Sequence, residues 1–259
     1  MTDRPLNDLL ADLLADLRAA LMLLTRLPVW RLADDGPPDL SRSVWAYPPV
    51  GALVGGLGAA VWAAGAGLGV PALVAAVLAF AATILATGAF HEDGLADTAD
   101  GLGGGLTVDR KLEIMRDSRI GTYGTVAVVL SLGLRIAALS ALPLPLGAAA
   151  LVTLACASRG AIVLMLAGLA PARTGGMGAV AGNPPRAVVV AGLILAALPL
   201  VFWPFGMGAG MGVAVIAATA CVAWTARRQV GGYTGDLLGA GQQLSECAGW
   251  VVLAALLPS

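Results

Sequence analysis

Residues 146–170 read LGAAALVTLACASRGAIVLMLAGLA, and Arg159 is the one charge among them. A stretch of about 20 apolar residues is what an α-helix needs to cross the hydrocarbon core of a bilayer. Comparable apolar runs lie at about 50–68, 72–90, 122–142, 187–203, 209–226 and 237–257. The fold class that follows is all-α: a polytopic membrane helix bundle of about seven transmembrane helices. Composition agrees, with 58% hydrophobic residues, 12% charged residues and a mean hydropathy of +0.86. A soluble domain carries about 25% charged residues. Gly and Ala are abundant in the runs, and small residues let helix backbones approach closely in lipid.

Residues 6–27 place Leu6, Leu9, Leu10, Leu13, Leu14, Leu17, Leu21 and Leu24 at helical spacing. Asp8, Asp12 and Asp16 repeat every four residues on another face. This predicts an N-terminal amphipathic helix on the membrane surface, stopped by Pro28. The acids replace the basic leader and pure apolar core of a cleaved signal peptide, so none is expected. Residues 31–49 are polar and proline-rich, hence loop. The whole chain, 1–259, reads as one integral-membrane domain. Within it, 1–49 form the amphipathic helix and loop, and 91–121 a cytoplasmic catalytic connection.

Arg and Lys occur in 1–49, 91–121, 171–187 and 227–235, while the short connections near 69–71, 143–145 and 204–208 have none. Basic and uncharged connections alternate strictly, the positive-inside pattern. The basic ones, with the N-terminus, are assigned to the cytoplasm of a bacterial cell and the runs to its inner membrane. Net charge is -1, without the basic surplus of a nucleic-acid partner. Cys156, Cys221 and Cys247 stand alone in apolar segments and read as small buried side chains. A single histidine, His91, excludes a zinc site of several histidines.

Seven of the sixteen acidic residues fall between Glu92 and Asp117. Phe90 to Gly101 reads FHEDGLADTADG. If the preceding helix continues, Asp93, Asp97 and Asp100 sit at i, i+4 and i+7, within about 60° of arc. No Arg or Lys occurs between Arg42 and Arg110. Three carboxylates on one face repel one another, and burial adds to the cost. Either some are protonated or a cation sits among them. Oxygen donors favour a hard ion, Mg²⁺ or Mn²⁺. A charge run at a helix end is ordinarily a solvated face; the spacing, the missing counter-charges and the flanking Gly94 and Gly101 argue otherwise.

Asp109 to Gly124 follows, with Arg110, Lys111, Arg116 and Arg119. Arginine forks suit phosphate oxygens. Gly121 and Gly124 permit close backbone approach. Carboxylates followed by a basic segment suggest metal-assisted phosphoryl or nucleotidyl transfer. Gly103, Gly104 and Gly105 read as a flexible turn, without a phosphate-binding GxxxxGK[ST]. A charge at the depth of Arg159 faces a polar cavity, where a substrate phosphate is favoured over an acid on another helix. Arg135 pairs with Glu246 or snorkels. In Gly231 to Ala240, GGYTGDLLGA, Asp236 completes the metal shell, binds a hydroxyl, or sits at a helix N-terminus.

FHEDGLADTADG, RDSRIG (Arg116 to Gly121) with Gly124, Ser158-Arg159-Gly160 and GGYTGDLLGA, in that order, resemble the cobalamin synthases, the adenosylcobinamide-GDP ribazoletransferases. Thr25-Arg26-Leu27-Pro28 is similar to that family's N-terminal segment. The resemblance runs from about residue 19 to the end, and the first 18 residues look like an extension. It implies that the 3'-hydroxyl of α-ribazole, or of its 5'-phosphate, attacks the corrinoid-side phosphorus of adenosylcobinamide-GDP. GMP leaves, and adenosylcobalamin or its phosphate forms. It also implies Mg²⁺ as cofactor and the lipid bilayer as surroundings, with a homo-oligomer or a complex with other cobalamin-assembly enzymes open. On this footing Asp93, Asp97, Asp100 and Asp236 are the metal ligands. Arg116, Arg119 and Arg159 neutralise phosphate, and His91, Gly121, Thr234 and Gly235 line the substrate. Glu92, Asp117 or a metal-site aspartate removes the hydroxyl proton. His91 is another candidate base. Tyr123 and Gln243 stand where members often have His and Glu, so neither is assigned a role.

Two other readings predict different patterns. CDP-alcohol phosphatidyltransferases begin DGxxAR, but here Asp97 follows Asp93-Gly94-Leu95-Ala96 and the later GxxxDxxxD is absent. An ion-coupled transporter places carboxylates near the bilayer midplane, whereas these cluster at one end.

Overall fold

The computed structural model describes residues 6–29, 39–173 and 181–256. Ten α-helices occur among them: α1 Leu6–Leu24, α2 Tyr47–Gly67, α3 Ala72–Thr87, α4 Phe90–Gly104, α5 Val108–Ile114, α6 Thr122–Ser140, α7 Leu144–Gly168, α8 Arg186–Ala197, α9 Phe205–Gln229 and α10 Gly235–Leu256. The expected all-α membrane bundle is the observed class. Of the seven apolar runs, four helical segments among the described residues are by themselves long and apolar enough to cross a membrane: Arg42–Gly67, α6, α7 and α9. A fifth arises if α3 and α4 count as one broken span.

Each shortfall has a local cause. The run at 72–90 stops at Thr87, and the chain turns by 88° into α4. Gly88 and Ala89 both take positive φ, 65° and 59°. Two left-handed residues in succession end a right-handed helix, and Ala89 does so against its own Cβ. The run at 187–203 is interrupted by a 3₁₀ turn, Leu198–Phe202, at Pro199, which has no N–H to continue the α-helical ladder. α10 has 22 residues but carries Gln242, Gln243, Ser245 and Glu246. All four are buried, so this helix belongs to the polar interior of the bundle.

α7 is the central helix, with 83% of its most apolar window buried, against 28% for α6 and α9. Val129, Leu130, Val213, Ile216 and Trp224 on the outer helices face outward, as lipid contact requires. α2 crosses α7 on Gly51 and Gly55, where an added Cβ would lie 2.3 Å from the carbonyl oxygens of Ala155 and Leu151. This is small-residue packing of the membrane kind. The core continues through Trp62, Phe80, Leu139, Leu154, Trp250 and Leu253. α1 buries Ala19, Ala20 and Leu24 and exposes Leu9, Leu10, Leu13 and Leu14. Its acids meet Arg42, which lies 3.2 Å from Asp12 and 3.6 Å from Asp16.

Candidate active site

The bend after Thr87 aims α4 across the end of the bundle. Asp93, Asp97 and Asp100 keep their i, i+4, i+7 spacing, but on this separate helix rather than on a continuation of α3. Gly94 is where α4 meets α10. A Cβ there would lie 2.9 Å from the Asp236 carbonyl and 3.2 Å from the Gly239 Cα. The glycine pair therefore brings the α4 aspartates against Asp236 at the start of α10. Asp97 lies within electrostatic reach of Asp93, Asp236 and Asp100.

The four carboxylates differ in their partners. Asp100 is buried and accepts from the backbone amides of Gly121 (2.6 Å) and Gly124 (2.9 Å). It thereby satisfies the N-terminus of α6, where two N–H groups would otherwise be left over. Cβ atoms at Gly121 and Gly124 would come within 2.5 and 2.4 Å of its oxygens. Asp236 is held by Arg173 (3.4 Å) and by the Thr234 hydroxyl (3.1 Å). Asp93 and Asp97 make no hydrogen bond or ion pair among the described residues. No three His, Cys, Asp or Glu side chains among the described residues converge as a metal site.

Beside Asp93 and Asp236 opens a cavity of about 180 Å³, bounded by α1, α2, α4, α7 and α10. One rim is fixed by backbone. Ala172 donates to the Tyr233 carbonyl (2.8 Å) and Tyr233 to the Ala170 carbonyl (2.9 Å). This bridge staples the loop after α7 to the GGYTGD loop and carries Arg173 to Asp236.

Behind the site, inside the bundle, lies a second group of charges. Arg135 pairs with Glu92 (3.4 Å) and with Glu246 (3.5 Å). Arg159 pairs with Glu246 (3.5 Å) and donates to the Ala155 carbonyl (2.9 Å). Gln243 donates to Glu92 (3.0 Å), and Gln242 to Glu246 (2.6 Å). Arg135 also stacks over Phe80 at 5.2 Å. Two acids and two arginines give a neutral tetrad, the arrangement in which buried charge is tolerated.

The basic segment is exposed. Arg119 forms a tight pair with Asp117 (2.6 Å). Arg119 hydrogen bonds hold the Asp117 carboxyl down to about 2. Arg116 is exposed and makes no ion pair among the described residues. Lys111 donates to Gln229.

A sequence profile of cobalamin-5-phosphate synthases matches residues 16–254, nearly the whole chain. The chain belongs to the cobalamin-5-phosphate synthase family. Two relatives named adenosylcobinamide-GDP ribazoletransferase make the same point. That of Bradyrhizobium diazoefficiens is 44% identical over 254 residues, 97% of this chain and 97% of its own. That of Azorhizobium caulinodans is 47% identical over 242 residues, 89% and 91% of the two chains. The Bradyrhizobium match leaves too few residues unaligned for all of the first 18 to be an extension relative to it. No solved structure matches the chain.

In this member of the family, then, the residues singled out from the sequence divide among three places. Asp93, Asp97, Thr234, Gly235 and Asp236 lie by the α4–α10 crossing, while Asp100 holds Gly121 at the start of α6. Glu92 and Arg159 belong to the buried tetrad, so Arg159 has the acid partner on another helix that was ranked second. His91 is buried between the tetrad and the cavity, lining both. Arg116, Asp117 and Arg119 lie in the exposed loop between α5 and α6. Sequence reading missed Arg173, which looked like one more positive-inside residue. Its sole signal was its place just after the α7 run. Tyr47 and Gln242 were equally silent, since nothing in their neighbours marks them.

Proposed function

We propose that the protein is an Mg²⁺-dependent adenosylcobinamide-GDP ribazoletransferase of the bacterial inner membrane, its site open to the cytoplasm. The observation that carries this is the pair Asp93 and Asp97, two carboxylates one helical turn apart without a hydrogen bond or ion pair among the described residues, the first of them lining the cavity. Basic connections at the same end of the bundle support the orientation. The residues fit a hard divalent ion: the donors are all oxygen, and Asp93 and Asp97 have no cationic partner among the described residues, while Arg173 pairs with Asp236. Mg²⁺ is commonly bound by one or two carboxylates, with water and substrate phosphate completing its shell, so three converging acids are not needed. Asp93 and Asp97 would hold it, with Asp236 beside them, and it would neutralise charge on the donor pyrophosphate.

The chain's own groups do the rest. Arg116 is free to take phosphate oxygens. The acceptor 3'-hydroxyl oxygen bonds to the corrinoid-side phosphorus, and the bond from that phosphorus to the GMP oxygen breaks. The hydroxyl proton passes to one carboxylate facing the cavity, Asp93, which has no partner among the described residues. Glu92 is occupied by Arg135 and Gln243, and Asp117 is too acidic a carboxyl for the task. Asp100 fixes the loop that carries Arg116, placing phosphate-binding groups against the aspartates.

The test is to incubate purified protein with adenosylcobinamide-GDP, α-ribazole and Mg²⁺ and to look for cobalamin by mass. Asp93→Ala and Asp97→Ala should each abolish GMP release in folded protein. Near-normal turnover in either variant would sink the metal-site assignment.

A further inference from the structure

The cavity beside the aspartates has an inner half that phosphoryl chemistry does not use. Its walls are Leu23, Leu24, Tyr47, Ile162, Leu166 and Leu238. Three polar atoms on its lining are buried and without a hydrogen bond among the described residues: Tyr47 Oη, His91 Nε2 and Arg173 Nη1. The Ser43 hydroxyl donates to the Leu40 carbonyl at 3.0 Å and so has no proton left for Tyr47 Oη. Buried polar atoms are nearly always paired in native proteins. Three such residues around one cavity mark a place where a bound ligand can supply partners.

Given the transferase activity proposed above, we infer that this cavity receives the fused-ring base of the nucleoside acceptor, with the ribose turned towards Thr234 and Asp236. Size is the first reason. A cavity of about 150 Å³ takes a benzene ring, so about 180 Å³ takes at least one ring of an aromatic base, the rest lying towards the open side, and cannot admit a corrin macrocycle. Polarity is the second. Guanine buried among leucines would leave most of its amide, amine and ring nitrogens unpaired, at a cost for each. A methylated benzimidazole on ribose has a single acceptor nitrogen, which the Tyr47 hydroxyl can satisfy. Position is the third. Asp93 and Asp236 line the same cavity, so a base held inside leaves the ribose hydroxyls at the carboxylates.

The test measures KM for α-ribazole and for adenosylcobinamide-GDP separately in wild type, Ile162→Phe and Tyr47→Phe. Ile162→Phe adds bulk in the cavity, and its KM for α-ribazole should rise tenfold or more, roughly what misfit in an apolar pocket costs, while KM for the donor holds. Tyr47→Phe removes one hydroxyl and should raise the acceptor KM severalfold, deciding the matter alone if Ile162→Phe does not fold. Free dimethylbenzimidazole should compete with α-ribazole and not with the donor. An unchanged acceptor KM in Tyr47→Phe with wild-type turnover, or GMP competing with α-ribazole rather than with the donor, overturns the cavity assignment and leaves the transferase standing. A wild-type protein that makes no cobalamin from any acceptor overturns both.

Discussion

Glu246→Gln tests the buried tetrad. Glu246 lies 3.5 Å from both Arg135 and Arg159 and accepts from Gln242 at 2.6 Å and Ser158 at 3.3 Å. Both arginines are almost fully buried. With Glu92, the tetrad is neutral; without the Glu246 charge it holds one uncompensated positive charge in the bundle interior. At an effective dielectric of about 20, one contact at 3.5 Å corresponds to about 5 kcal/mol of Coulomb attraction. Part of this offsets desolvation, and breaking one partner of a buried pair costs about 3–5 kcal/mol. Glu246→Gln should therefore lose stability by that amount in denaturant unfolding of the detergent-solubilised protein. Arg159→Met alone should destabilise too, since it leaves the tetrad net negative. The double variant is neutral again and should be more stable than the sum of the two losses predicts, by about 2 kcal/mol or more. Additivity within about 0.5 kcal/mol would refute the coupling. If Arg159 instead held a substrate phosphate, Arg159→Met would raise the donor KM and show no coupling to Glu246.

Two further predictions concern the rim of the site. Asp100→Ala removes two charge-assisted bonds to the start of α6 and should cost about 2–3 kcal/mol. Gly124→Ala, whose Cβ would lie 2.4 Å from the same carboxylate, should lower the unfolding midpoint comparably while leaving every carboxylate in the chain; an unaffected midpoint in both removes the anchoring role. Asp117 has its carboxyl lowered from 3.8 to about 2 by Arg119. A depressed carboxyl contributes stability above its ordinary range and loses it only as pH falls towards 2. Asp117 thus stays ionised across roughly pH 5 to 9, where such rates are measured, and Asp117→Asn should leave the shape of the pH–rate profile unchanged. A displaced acid limb would show that Asp117 takes part in proton transfer.

Much of the site was legible because its chemistry is local. The spacing of Asp93, Asp97 and Asp100 survives folding, since one helix carries all three. The family motifs were legible for the same reason. The membrane class followed from apolar runs that no soluble core would need. The count of spans was not legible, because hydropathy along a run does not register a left-handed pair such as Gly88 and Ala89, or inward-facing polar residues such as Gln242 and Glu246. Roles within the acid cluster were hidden too. Asp100 and Asp97 look alike in sequence, and only the position of the Gly121–Gly124 turn makes one an anchor and leaves the other unpartnered.

The sequence by itself determined that the chain is a helical membrane protein with carboxylates and arginines gathered at one end. Length, apolarity and charge sign are properties of segments, and each segment carries them wherever it packs. The sequence offered Glu246 as a partner for Arg135, and the structure pairs them; the other meetings of opposite charge were decided by the tertiary structure. Arg159 finds Glu246, Arg135 finds Glu92, and Arg173 finds Asp236 across helices far apart in the chain, while Asp93 and Asp97 find none among the described residues. Coulomb attraction and desolvation depend on distance and burial, and neither exists until α4, α7 and α10 have crossed on their glycines.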